Sequence, residues 1–136
     1  KLYHTSESNV EGFLEDYAFL ALALMQAYKS TQDELYLIQS QRIADSALEM
    51  IYRNGVWYFS EGELARKASV YDDTYTSEVA VMVEVLLLLD FHLHDEKYAH
   101  FAHKTLEYNS YELARKPVFS AHLLVQTLTY LRGKEL

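Results

Sequence analysis

A chain of 136 residues, half of them hydrophobic, is long enough for one domain with one sizeable core and is too apolar for a disordered segment. Its formal net charge of −8 repels phosphate backbones, which argues against nucleic acid as a partner, and no basic amphipathic stretch suits a membrane surface. The absence of cysteine excludes thiol catalysis, disulfides and thiolate metal sites, and with only four glycines and one proline the chain favours long helices joined by short connections.

Residues 1–10 are polar and read as a loop. From Gly12 to about Lys29 apolar residues recur at helical steps, with Phe13, Tyr17, Leu20, Leu24 and Tyr28 as the expected buried stripe. Thr31 to Glu34 fits a capping box, S/T-x-x-E, so a second helix is expected to start there. Its stripe is Tyr36, Ile43, Ala47 and Met50, and Asn54-Gly55 ends it. Val56 to Phe59 carries β-branched and aromatic residues directly after that turn signal. Glu61 to Lys67 reads as a charged loop and Ala68 to Tyr71 as the returning strand, together a small β-hairpin inserted between helices.

Thr76 or Ser77 can cap a third helix running to about His92. Its segment Val79 to Leu89 is apolar on nearly every side, interrupted only by Glu84, which predicts burial all round. That run is too short to span a bilayer. Asp95 caps a fourth helix with Tyr98, Ala102 and Leu106 facing inward. Pro117 suits the first turn of a fifth, ending near Gly133. The N-terminus carries no apolar signal segment. It begins at Lys1 rather than Met, so a trimmed chain is expected, with the cytoplasm as its compartment.

The chain also echoes itself. Asp33-Glu34-Leu35-Tyr36 and Asp95-Glu96-Lys97-Tyr98 share D-E-x-Y at a helix start, each opening an amphipathic helix after an apolar one. Repetition of one inner and one outer helix per unit predicts a toroid or solenoid of α-hairpins, although a motif this short also arises by chance.

Three segments carry a family resemblance. Gly12 to Leu20, preceded by Lys1-Leu2-Tyr3-His4, is the most specific. Tyr71-Asp72-Asp73 leads into the helix at Ser77, and Pro117 to Leu124 has His122 in its middle. In this order they resemble the C-terminal (α/α) region of the YyaL family, also called the spermatogenesis-associated thioredoxin-domain family, over nearly the whole chain. One departure is Thr76-Ser77-Glu78-Val79, where the family pattern has a Pro-Ser-Gly-Asn-like stretch. The resemblance implies an all-α fold: a partial (α/α)6 toroid of about five helices with a small β-hairpin insert. Residues 1–136 would then be a single domain, the C-terminal part of an (α/α) barrel from a larger thioredoxin-domain-containing protein. Such barrels resemble those of six-hairpin glycosidases and N-acylglucosamine 2-epimerases.

Glu15 and Asp16 open an otherwise apolar helix, where barrels of this type place active-site groups, and Asp72 and Asp73 form a second acidic pair. Two carboxylates across a cleft serve as general acid and base in glycoside hydrolysis. The same acids also suit helix caps, since first-turn carboxylates favour the positive end of the dipole. Asp72, in a Tyr-rich loop, is the preferred catalytic candidate, with Asp16. His122 joins them by resemblance, because histidines near the pore of epimerase-like barrels act as acid/base groups; a satisfied buried histidine is the alternative. Tyr71, Trp57, Tyr58 and Glu15 are the expected ligand-binding residues, since aromatic faces beside acids suit a sugar ring. Trp57 and Tyr58 serve equally well as core.

His92, His94, His100 and His103 lack an acid at ligand spacing, so no metal is expected. They read as a solvated outer face. Neither a phosphate-binding glycine loop nor a nucleophile elbow is present, and no cofactor is implied. The expected partners are a small carbohydrate-like ligand, the missing N-terminal part of the parent chain and a second copy of the chain through its cut faces, with neither nucleic acid nor membrane. Two functions follow: a barrel that binds or transforms a sugar-like molecule, or a non-catalytic helical scaffold or interaction module that supports a thioredoxin-like domain.

Overall fold

The computed structural model describes residues 1–5, 11–62, 65–72 and 76–135, with side chains up to residue 133. The expected Asp73 lies outside them. Among the described residues the fold is mostly α, with a two-stranded hairpin between its second and third helices. Six α-helices are present: α1 (Leu14–Thr31), α2 (Glu34–Ile51), α3 (Glu78–Leu93), α4 (Glu96–Tyr108), the short α5 (Ser110–Arg115) and α6 (Ala121–Glu135). Five were expected; the sixth, α5, is a single six-residue segment before Pro117.

The links α1–α2 and α3–α4 are built alike. Gln32 and His94 each adopt a left-handed conformation (φ 58° and 54°), and their N–H groups donate to Tyr28 and Asp90 carbonyls. Asp33 and Asp95 then cap the next helix, their carboxylates accepting from Leu35 and Lys97 N–H at 3.0 and 3.2 Å. This is the physical content of the D-E-x-Y echo: a left-handed residue reverses the chain and the Asp satisfies the first free donors of the returning helix. Thr31, expected as the cap of α2, instead ends α1, and its hydroxyl bonds back to Ala27 O.

Helices α1, α3 and α6 form one layer, α2 and α4 the other. α3 occupies the centre and packs on α1, α2, α4 and α6. Nine of its sixteen residues are buried, including Val79 through Val83, Val85, Leu86 and Leu89, as an all-round apolar helix requires. The seams of α1 and α2 keep the expected Tyr17 and Ala47 but otherwise lie one residue on from the expected stripes. Leu14, Tyr17, Ala18, Ala21 and Met25 are buried on α1, with Leu37, Ser40, Ala44, Ala47 and Ile51 on α2. Small residues at the crossing bring the axes close enough for Ser40 Oγ to donate to Ala21 O at 2.8 Å. Larger side chains such as Leu20 then face outward, 39% exposed.

The three helices of the first layer run in the same direction. Tyr28 near the end of α1 meets His92 near the end of α3, ring centroids 5.2 Å apart. Asp72 joins the first residues of α3 and α6. Their N-termini therefore share one end of the layer. Both flanks of the array stay apolar: Leu20, Leu35 and Ile38 on α1 and α2, and Leu124, Val125, Leu128 and Leu131 on α6.

The hairpin differs in register from the sequence reading. Its strands are β1 (Tyr52–Arg53) and β2 (Val56–Trp57), so the partner of Val56-Trp57 precedes it. Asn54-Gly55 is the turn itself (φ 50° and 90°), the pair of positive φ values that a tight hairpin demands. The downstream return also pairs, through Phe59 N–H to Arg66 O and Ala68 N–H to Trp57 O, a few residues before the expected Ala68 to Tyr71. No helix of the described residues is long and apolar enough to cross a membrane.

Gly55 is the tightest backbone position of the turn. A Cβ there would lie 2.5 Å from the Lys104 carbonyl oxygen of α4, and φ is +90°. Gly55→Ala is expected to destabilise the fold by about 2–4 kcal/mol through strain and that clash, read as a lower urea midpoint at unchanged m-value.

Candidate functional site

The shared end of α1, α3 and α6 gathers several sequence-predicted residues. Asp72 is the pin between two of the helices. Its Oδ1 accepts from Ser77 N–H (2.9 Å) and its Oδ2 from His122 N–H (3.0 Å), while its own N–H donates to Phe119 O (2.7 Å). One carboxylate thus satisfies donors at the starts of both α3 and α6, where the dipoles favour negative charge. The structure brings Asp72 and His122 together, through a backbone donor rather than the imidazole.

The imidazole turns toward α3. His122 Nε2 lies 3.0 Å from Glu84 Oε2. Gln126, one turn further along α6 and only 6% exposed, approaches the same nitrogen at 3.5 Å. Glu84 is the one charge within the apolar run of α3, and its position toward α6 explains its tolerance there. A carboxylate paired with an imidazole is a competent acid/base arrangement, because the acid holds the ring's orientation.

Glu84 and Gln126 also line a cleft of about 810 Å³ between α3, α4 and α6. Leu88, Phe91 and Tyr130 give it an apolar and aromatic wall, and Asp90, His100 and His103 line it as well. His103 packs on Tyr130 at 5.4 Å between centroids and faces Glu107 at 3.7 Å. His100, exposed as expected of an outer face, and the half-buried His103 border this cleft. Burial, reinforced by the nearby carboxylates of Glu96 and Asp95, pushes the Asp90 carboxyl above its ordinary range. Burial likewise holds the His92 imidazole below its usual value, with Lys29 and His94 adding to the effect.

The other expected residues are placed elsewhere. Asp16 Oδ2 accepts from Phe13 N–H at 2.8 Å and meets His4 Nδ1 at 3.0 Å, a cap on α1. Ligand atoms of His4, Glu15 and Asp16 lie within 4.8 Å of one another, the one trio among the described residues with the geometry to hold a metal ion. It sits at the positive end of a helix, which disfavours a cation, and Asp16 already serves as a backbone acceptor. The hydrogen bonds of Asp16 and those of Asp72 go to different partners.

Trp57 is buried, 2% exposed, and its indole N–H donates to Thr105 Oγ1 at 3.0 Å, tying the hairpin to α4. Tyr58 points to the opposite side of the strand, with the Arg53 guanidinium over its ring at 5.8 Å. Tyr71 donates its hydroxyl to Glu112. Tyr71 and Trp57 border a smaller cleft of about 320 Å³ with Ser69, Tyr108 and Glu112.

Gln126, Tyr130 and Asp90 were not singled out by sequence reasoning. The available signals were Glu84 as a lone charge in an apolar run and the His122–Gln126 spacing of one helical turn. Compared with family models, curated proteins and solved structures, the chain has no match.

Asp72→Ala removes an acceptor shared by two helix starts and is expected to cost about 2–3 kcal/mol. Asp72→Asn, which keeps one carbonyl acceptor, is expected to cost less, with both read by chemical denaturation. Asp90 gives a pH signature. Its carboxyl is raised in the folded state, so its favourable contribution is complete below the ordinary carboxylate range and is lost as pH rises through the folded value. Asp90→Asn should therefore raise the thermal midpoint relative to the parent at pH 7, and that gain should shrink toward pH 3.

Proposed function

We propose that this chain is the closing part of an (α/α) barrel whose inner layer binds a sugar-like, polyhydroxylated small molecule in the α3–α4–α6 cleft. Glu84 and His122 are its acid/base pair. The observation that carries this reading is Glu84, the one carboxylate within the Val79–Leu89 run of α3, directed at an imidazole beside an aromatic-walled cleft. The pair is half-buried at the edge of the cleft, where an ion pair adds little to stability, so its placement supports a role beyond packing. Two further features support a barrel piece. Three inner helices run in parallel, and both flanks of the array are apolar. The flanks suit the remaining hairpins of a larger chain, preceded by a thioredoxin-like domain, or a second copy.

Relative to the sequence candidates, the proposed chemistry moves from Asp16 and Asp72, which cap helices, to Glu84 with His122. Tyr71, Trp57, Tyr58 and Glu15 lie outside this cleft and take no part in the proposed binding. The engagement of Asp16 and Asp72 as caps also favours a second reading, a non-catalytic scaffold that supports a redox or chaperone domain.

A thermal-shift and saturation-transfer screen with neutral monosaccharides separates the two, on this chain and on the parent protein. The sugar reading expects stabilisation by at least one sugar, lost in Glu84→Gln with the fold intact by circular dichroism. Absence of stabilisation in both chain and parent removes it and leaves the scaffold.

A further inference from the structure

We draw no further inference here: the strongest candidate, the exposed apolar face of α6 formed by Leu124, Val125, Leu128 and Leu131, carries nothing because nothing in the structure shows what covers it.

Discussion

The carboxylate of Asp72 is the interaction on which the arrangement of the inner layer turns. It accepts from the backbone at the start of α3 and at the start of α6. Two helices of like direction repel one another through aligned dipoles, and a shared anion at their positive ends offsets that repulsion locally. The pin also fixes the relative height of the two helices. Position 122 on α6 is thereby level with the second turn of α3, and its imidazole meets Glu84 rather than solvent. Asp72 thus acts at a distance from any chemistry: it sets where the acid/base pair forms without belonging to it.

The same logic explains why α3 tolerates a charge. α3 buries most of its surface, but the face that carries Glu84 borders the cleft, so its carboxylate is half-buried and paired with His122 rather than sealed in the core. Glu84 occurs where the neighbouring helix supplies a histidine, and where α6 and α4 diverge enough to leave a cleft. The hairpin anchors the opposite layer. Trp57 donates to Thr105 on α4, and Gly55 lets the turn approach Lys104 closely. α4 is held from both sides, by α3 and by the hairpin, so the cleft has a fixed far wall.

Much of this was legible in the chain. The central burial of α3 follows from Val79 to Leu89, and the repeated hairpin from the two D-E-x-Y starts. Ser77 and Asp95 were readable as caps from residue type alone. Apart from Tyr17 and Ala47, the seams of α1 and α2 lie one residue on from the expected stripes, because hydrophobic periodicity ranks Leu and Tyr above Ala and Ser. Close helix crossings prefer the small residues, and that preference depends on the partner's surface. The hairpin register was misjudged for a related reason. Asn-Gly signals both a helix end and a tight turn, and only pairing with Tyr52-Arg53 decides between them.

The site was legible in part, and the missing part has one cause. Asp16 and Asp72 stand out in sequence as acids before apolar helices, yet that position also defines a cap, and both serve as caps. Asp72 accepts from two backbone donors and Asp16 from one, so protonating either carboxylate competes with its cap. Glu84 has the opposite profile. Within its helix nothing local calls for a carboxylate, since it is too far from the N-terminus to act on the dipole and is surrounded by Val, Met and Leu. A polar residue that local structure does not require is more informative than one that it does. Gln126, buried on α6 and bonded to the same imidazole, belongs with Glu84, and both line the same cleft.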